Sequence, residues 1–362
     1  MKKILLVGLC LAIAQAVWAQ VGTVRGNIFD EVTGAAVSFA TVKIEGTGLG
    51  ASSDEEGFFT ISNVPVGPQK ISANFVGYET KTIDIEVKKG QILYQKIFIS
   101  ENKIDLKEVE ISAKREQART EVQVSKITIT PKQIRALPST GGQADIAQYL
   151  TVLPGVIFTG DQGGQLYIRG GSPVQNRILL DGMTIYNPFH SIGFFSVFET
   201  ELIRNVDVFT GGFNAEYGGR VSAILDMKTR EGNRKRLGGT FSGSPFQAKA
   251  VIEGPIVKLK NEDGSSVSFI VTGKKSLIDR VGKDLYPQVN NGDGIPFEHQ
   301  DLYSKVSVMA ANGSRLNLFG FNFQDNVNFN IANYGWNSSG GGGNFTLIPQ
   351  NSNTIMDGVI AY

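Results

Sequence analysis

Two histidines and one cysteine are the residues whose types could support metal or thiol chemistry in this chain. His190 and His299 lie far apart in the sequence, and neither has a second ligand at the spacing of a zinc motif such as H-E-x-x-H. No G-x-S-x-G motif occurs, and the segment VTGKKS lacks the upstream glycine of a phosphate-binding loop. The sequence therefore predicts no catalytic site, no metal site and no cofactor.

The first residues of the chain have the pattern of a secretory signal. Lys2 and Lys3 precede an apolar run, and Ala19 suits a signal peptidase. We expect residues 1–19 to be removed, and with them Cys10, so that thiol catalysis is excluded. The alternative, an uncleaved anchor, is disfavoured because a membrane-spanning helix needs about 20 apolar residues.

Composition narrows the class of protein further. A net charge of +1 with 19% charged residues gives no basic surface for nucleic acid. The chain has 43 glycines and 22 phenylalanines but no second long apolar stretch, which is typical of an exported protein rich in strands and turns. If such a protein crosses a membrane, it must do so with strands.

Residues 21–100 alternate apolar and polar residues in short runs between turn signals. Val42 and Ile44, for example, share one strand face, and Thr33-Gly34 forms one of the turns. Short strands at this spacing predict a small β-sandwich. With the segments DEVTGAAVSFATV, SDEEGFFTISNVPVG and FVGYE, the region resembles the carboxypeptidase regulatory-like domain, a transthyretin-like seven-stranded sandwich. That resemblance implies an accessory module without a peptidase site.

Residues 125–230 mix helical and strand patterns. The segment ADIAQYLTVLPGV has apolar residues at helical spacing and ends at Pro154-Gly155. Asp181-Gly182 predicts a hairpin. The remaining predicted elements are strands at 166–169, 206–209 and 221–229 and a helix around 199–204. Together these patterns predict a glycine-rich α+β domain.

The motifs of this domain follow one another in the order LPGV, IRGG, LLDGM, IRNVDVFTGG and EYGGRVSAILDMKTREG. In that order they resemble the plug domain of TonB-dependent outer-membrane receptors. The segment YNPFHSIGFFSVF is similar to the subgroup common in Bacteroidetes. The resemblance implies a stopper inside a wide transmembrane β-barrel, which can be withdrawn or remodelled without melting a large apolar core.

Five polar residues of the plug-like domain are candidates for contacts with a barrel or a ligand. Arg169 and Asp181 flank the hairpin, and Glu216 and Arg220 lie beside a glycine pair. We expect these four to form structural plug–barrel contacts, with ligand contact as the alternative. His190 lies in an aromatic loop, where it either faces a ligand or packs locally.

The segment IDLKEVEISA precedes the plug-like domain and can form an extended peptide with one apolar face. From the residues alone it is a linker or an edge strand. Its position resembles that of the TonB box, which an energy-coupling protein captures by adding it to a sheet edge. The candidate box residues are Asp105, Leu106, Lys107, Glu108, Val109, Glu110, Ile111 and Ser112.

Long alternating runs follow residue 230. In residues 319–330, phenylalanines and asparagines occupy opposite faces, and similar runs occur at 246–253, 267–273 and 302–310. A membrane strand needs roughly 9 to 11 residues with an apolar outside and a polar lumen. We therefore expect the phenylalanine face to meet lipid and the asparagine face to meet the lumen or the plug. A half-buried soluble strand is the alternative.

The length after the plug-like domain allows about six such strands at roughly 20 residues each, whereas the smallest bacterial barrels have 8. We therefore expect the sequence to be the front part of a longer receptor or a truncated gene product.

The predicted fold class is mainly β, with a transthyretin-like sandwich, an α+β plug and the antiparallel strands of an incomplete transmembrane β-barrel. The predicted domains are a signal peptide at 1–19, the sandwich at 21–100, a linker at 101–124, the plug at 125–230 and the first barrel strands at 231–362. Because residues 114–120 are highly charged, we also expect few contacts between the sandwich and the rest of the chain.

The resemblance implies an outer-membrane receptor that takes up a scarce solute, such as an oligosaccharide, a peptide or a metal chelate, with the sandwich in the periplasm. Its expected partners are outer-membrane lipid, a TonB-type energy-coupling protein, the extracellular solute and a surface lipoprotein, but not nucleic acid. The alternative is a periplasmic adaptor, or a stopper for another protein's pore such as a secretion channel, without transport activity or enzymatic activity.

Overall fold

The computed structural model describes residues 21–102, 126–137, 143–159, 164–190, 193, 195–259, 264–292, 294–329, 332–349, 352 and 354–362. Among these residues, no helix is both long and apolar enough to cross a membrane. The predicted signal peptide and the candidate TonB box at 105–112 lie outside the described residues.

The first domain is a β-sandwich of two sheets. Its strands are β1 (Val21–Asp30), β2 (Thr41–Ile44), β3 (Gly50–Ser52), β4 (Phe58–Pro65), β5 (Gly67–Asn74), β6 (Lys81–Val87) and β7 (Ile92–Ile99). One sheet has the order β4-β1-β7 and the other the order β3-β2-β5-β6. Val42, Ile44 and other inward residues of both sheets share one apolar core. The alternation therefore predicted this seven-stranded sandwich correctly.

The second domain, here called the α/β domain, covers residues 126–229. Its helices are α1 (Pro131–Arg135) and α2 (Ile146–Leu150), and its strands are β8 (Lys126–Ile129), β9 (Val156–Thr159), β10 (Gln165–Ile168), β11 (Arg177–Leu180), β12 (Met183–Thr184), β13 (Ile203–Phe209) and β14 (Ile224–Thr229). The main sheet has the order β12-β11-β14-β13-β8. The predicted strands and the Asp181-Gly182 hairpin are confirmed.

The helix predicted around 199–204 is wrong. Residues 200–202 form a turn, in which the Leu202 N–H donates to the Glu199 carbonyl at 2.9 Å, and strand β13 begins at Ile203. Ile203 pairs with Thr229 on β14. Strand β14 thus provides hydrogen bonds to backbone groups that would have bonded within a helix. Pairing in the sheet overrides the local helical spacing of the apolar residues.

The third region is an antiparallel meander, here called the seven-stranded sheet, in which each strand pairs with the next. Its strands are β15 (Gly238–Gly243), β16 (Gln247–Val257), β17 (Ser266–Ser276), β18 (Phe297–Met309), β19 (Arg315–Phe329), β20 (Ala332–Leu347) and β21 (Met356–Ala361), and helix α3 (Ile278–Leu285) connects β17 and β18. The four strands predicted from alternation correspond to β16, β17, β18 and β19.

The inner face of this sheet packs on the α/β domain, and its outer face is exposed. On β16, β17 and β18 the outer face is apolar, with Ile252 54% exposed and Leu302 49% exposed. The inner face of the same strands carries buried polar residues such as Lys249 and Asp301. These three strands therefore have the apolar outside and polar inside that the alternation predicted.

Strand β19 contradicts the prediction that its phenylalanine face meets lipid. Phe319, Phe321 and Phe323 are buried, and they share a core with residues of the α/β domain. The outer face of β19 instead carries Leu316 and Leu318, which are 40% and 53% exposed. The reason is that alternation separates two faces but does not say which one a neighbouring domain will cover.

The expectation of few contacts between the sandwich and the rest of the chain is also wrong. Phe29 and Phe98 of the sandwich share an apolar cluster with Leu259 and Met309 of the seven-stranded sheet. The Lys96 ammonium of the sandwich donates to the Gly264 carbonyl at 2.8 Å. Whether two domains pack together depends on their surfaces. The charge of the segment that connects them carries no information about those surfaces.

Candidate functional site

Three buried lysines on successive strands of the seven-stranded sheet reach into the α/β domain. Lys249 on β16 lies 2.7 Å from the Glu199 carboxylate. Lys274 on β17 donates to the Ser196 carbonyl at 2.7 Å. Burying an ammonium without a partner costs free energy, so each of these contacts favours one relative position of the α/β domain and the seven-stranded sheet.

The third lysine, Lys305 on β18, belongs to a buried group that we call the aspartate cluster, formed by Asp181, Thr229, Tyr303 and Lys305. The Lys305 ammonium lies 3.3 Å from Asp181 Oδ1 and donates to Thr229 Oγ1 at 2.9 Å. The Tyr303 hydroxyl donates to Asp181 Oδ2 at 2.5 Å, and the Thr229 backbone N–H donates to Oδ1 at 3.0 Å. The Asp181 carboxylate is therefore held by Tyr303 and Lys305 across the interface and by Thr229 within the α/β domain.

The local backbone explains how Asp181 reaches this position. Asp181 and Gly182 are the two turn residues between β11 and β12, with φ of 51° and 89°. Both angles fall in the left-handed region, which Asp tolerates better than most residues and Gly adopts freely. Burial would raise the pKa of the Asp181 carboxyl, but Lys305 and the hydrogen bonds from Thr229 and Tyr303 lower it below 3.8.

A second buried group, the imidazole cluster, consists of His190, Lys274, His299, Asp301 and Asp325. His190 Nε2 lies 3.0 Å from Asp301 Oδ2, and its Nδ1 lies 3.4 Å from Asp325 Oδ2. The ring of His190 stacks on that of His299 with centroids 4.0 Å apart. Burial alone would lower the pKa of His190, but the carboxylates of Asp301 and Asp325 raise it above its ordinary value of 6.5.

Beside these clusters lies an aromatic patch, which we define as Phe319, Phe321 and Phe323. The rings of Phe321 and Phe323 are 4.4 Å apart. The patch shares the core of the α/β domain with Met183 and Leu225. The interface between the α/β domain and the seven-stranded sheet is therefore rich in ionic contacts on β16 to β18 and mainly apolar on β19, where Asp325 adds one charged contact to His190.

The sandwich adds a further ionic contact to the α/β domain. The Glu55 carboxylate lies 2.5 Å from the Lys228 ammonium and 3.5 Å from that of Lys126. Burial would raise the pKa of Glu55, but Lys228 holds it at about 2. Burial, together with the nearby Glu55 charge, raises the pKa of Asp207 to about 7.

The residues predicted from sequence occupy different environments. Asp181 contacts the seven-stranded sheet, and His190 is 1% exposed within the imidazole cluster. Arg169, Glu216 and Arg220 are exposed. Arg220 donates to the neighbouring Gly219 carbonyl at 2.9 Å, and Arg169 has φ of 48°. The functional roles of all five residues stay predictions.

Sequence reasoning did not single out Lys249, Lys274, Lys305 or Asp301. A signal for them was present, because each is a charged residue at an inward position of a strand whose other face is apolar. A charge at such a position needs a partner from the domain that covers it.

Comparison with known proteins identifies the first two domains. Residues 24–111 match the model of the CarboxypepD_reg-like domain, and residues 118–223 match that of the TonB-dependent Receptor Plug Domain. The α/β domain is a TonB-dependent receptor plug domain. Both resemblances seen in the sequence are thereby confirmed, and we call the α/β domain the plug from here on. No curated protein sequence matches the chain.

Several solved outer-membrane proteins are similar to this chain. The copper transporter OprC is 14% identical over 62% of this chain and 34% of its own, with a TM-score of 0.42. The iron transporter FrpB from Neisseria meningitidis is 18% identical over 61% and 36%, with a TM-score of 0.44. The outer membrane transporter YddB from Escherichia coli is 16% identical over 66% and 38%, with a TM-score of 0.43. This chain thus spans 34–38% of the length of these three structures.

Proposed function

We propose that this protein is an outer-membrane receptor that takes up a scarce extracellular solute by energy-coupled movement of its plug. The observation that carries the proposal is a plug domain held against the inner face of an antiparallel sheet whose outer face is apolar on strands β16 to β18. The solute class, such as an oligosaccharide, a peptide or a metal chelate, is left to experiment.

The ionic part of the interface supports a plug that can move. Lys249, Lys274 and Lys305 bind plug groups one by one, and each group can be solvated by water once the plug shifts. Exposing apolar surface costs roughly 25 cal/mol per Å², a cost that ionic contacts largely avoid. An interface that includes such contacts suits a stopper that is displaced and then returns.

The outer face of the sheet supports contact with outer-membrane lipid. Ile252, Val271 and Leu318 are exposed on strands β16, β17 and β19, and register places Ile252 beside Val271. Strands with apolar residues outside and polar residues inside are the pattern of a membrane barrel wall. The sandwich contacts Met309 at the end of β18, whereas the imidazole cluster uses residues near the start of that strand. We place the sandwich in the periplasm.

A TonB-type energy-coupling protein is the proposed partner of residues 105–112. An extended peptide ahead of the plug can be captured by strand addition and pulled. A surface lipoprotein is a further proposed partner on the extracellular side.

The test is deletion of residues 105–112 from the full-length gene product. We expect the deletion strain to lose growth on those sole carbon or iron sources that need the wild-type gene, while the receptor remains in the outer-membrane fraction. Deleting residues 113–120, a segment of equal length in the charged linker, is the matched control and should preserve growth. Normal uptake without residues 105–112, or recovery of the protein in the soluble periplasmic fraction, would overturn the proposal.

A further inference from the structure

The imidazole cluster brings together three metal-ligating side chains from separate parts of the chain. His190 comes from the plug, whereas His299 and Asp301 come from β18 of the seven-stranded sheet. One donor atom from each lies within 4.8 Å of the other two. All three side chains are buried, with exposures of 1%, 3% and 5% respectively.

Three polar atoms of this cluster have no hydrogen-bond partner in the part of the chain that the structure describes. They are His190 Nδ1, which lies 3.4 Å from the Asp325 carboxylate, His299 Nε2 and Asp301 Oδ1, and all three are buried. Buried polar atoms are almost always satisfied, so each unsatisfied one requires an explanation. A cation that accepts lone pairs from His299 Nε2 and Asp301 Oδ1 supplies that explanation for these two atoms.

We propose that His190, His299 and Asp301 bind one divalent first-row transition-metal ion, zinc above all, which joins the plug to the seven-stranded sheet. Two imidazoles and one carboxylate are a donor set that zinc takes in proteins, whereas calcium and magnesium prefer oxygen ligands alone. Because the three side chains are buried, the ion is a resident of the interface and distinct from the transported solute. The proposal does not depend on the transport function.

The surroundings of His190 also suit a metal ligand. A histidine that binds metal usually directs its second ring nitrogen at a carboxylate or carbonyl, which orients the ring. Here Nε2 faces Asp301, and Nδ1 lies 3.4 Å from the Asp325 carboxylate. Register places Asp325 on β19 directly opposite His299 on β18, so the same strand pair that supplies a ligand supplies the orienting group.

Lys274 is compatible with an ion at this position. Its ammonium lies 2.9 Å from Asp301 Oδ2 and also donates to the Ser196 carbonyl. Oδ1 of the same carboxylate is left for the metal. The stacked rings of His190 and His299 must rotate to direct both nitrogens at one ion, so metal binding should end their stacking.

The test uses the full-length protein, purified in detergent with a histidine-free tag and stripped of metal with a chelator. His190 and His299 are the two histidines of this sequence, so the variants described below assign the imidazole ligands to this site. We expect one zinc ion to bind per chain in a competition titration. X-ray absorption at the zinc edge should then show two imidazole ligands in the wild-type protein.

Two variants and one control sharpen the result. His299→Gln should weaken zinc binding at least ~100-fold, and Asp325→Asn should weaken it about 10- to 100-fold through loss of orientation. Gln300→Ala, on the exposed face of the same strand, should leave it unchanged. Absence of zinc binding, or zinc without imidazole ligands in the wild-type absorption spectrum, would overturn the proposal even if a variant fails to fold.

Discussion

Strands β18 and β19 are hydrogen-bonded neighbours along their whole length, but their inner faces contact the plug in different ways. The inner face of β18 is polar and carries His299, Asp301, Tyr303 and Lys305, whereas the inner face of β19 carries the aromatic patch. Both faces are buried by the same domain. The plug is therefore held mainly by directional ionic contacts on β18 and mainly by non-directional apolar packing on β19, where Asp325 adds one ionic contact to His190.

The ionic contacts of β18 and the apolar packing of β19 should therefore respond differently to mutation and to pH. Removing one partner of a buried ion pair leaves the other charge unpaired, while protonation of the carboxylate weakens the pair itself. Apolar packing depends on shape and is insensitive to pH.

A charge placed within the aromatic patch should have the largest effect. Phe323 is 2% exposed, so Phe323→Arg loses its packing and buries an unpaired cation, at an expected cost of more than about 4 kcal/mol in unfolding free energy. Denaturant unfolding of the purified protein measures this cost. Asn326→Arg, at an exposed position of the same strand, should cost less than about 1 kcal/mol. Equal effects of the two variants would contradict the inward orientation of the phenylalanines.

Removing the Asp181 carboxylate should have the second-largest effect on the free energy of unfolding. Asp181→Ala leaves the Lys305 ammonium without its carboxylate and should cost about 3 kcal/mol in the same unfolding measurement. Adding Lys305→Met should recover part of this loss, because the unpaired charge is removed. The control is Asp84→Ala on the sandwich surface, with an expected change below about 0.5 kcal/mol. A double variant no more stable than Asp181→Ala would argue against the ion pair.

Acid should weaken the ionic contacts of Asp181 but not the apolar packing on β19. Because the folded-state pKa of Asp181 is lowered below 3.8, its contribution is present above the unfolded value and is lost as pH falls through the lower folded value. Below about pH 4, the wild type should therefore lose stability relative to Asp181→Asn. Unfolding curves at successive pH values measure the difference. Parallel curves for the two proteins would show that Asp181 is not held as a carboxylate.

The outer face of β19 should give the smallest change in stability. Leu318→Cys and Asn326→Cys alter exposed side chains, so each should cost less than about 1 kcal/mol. In membranes, a lipid-soluble maleimide should label position 318, and a water-soluble one should label position 326. Free reaction of position 318 with the water-soluble reagent would show that this face does not meet lipid.

Much of the fold could be predicted from the sequence. Alternation located strands β16 to β19, and turn chemistry at Asp181-Gly182 located the hairpin, because both signals are local to a few residues. The predicted helix around 199–204 failed because Ile203 is paired with Thr229. The aspartate cluster was half predicted, since Asp181 was a candidate contact while Lys305 was not.

The sequence by itself determined which residues share a strand face, because side chains alternate with a period of two. It did not determine which face of β19 turns inward, since that depends on what lies opposite, and here the plug presents apolar residues such as Met183 to Phe321. Nor did it bring His190 to His299. Two histidines from a plug loop and a sheet strand become neighbours through the docking of two domains, which no local pattern encodes.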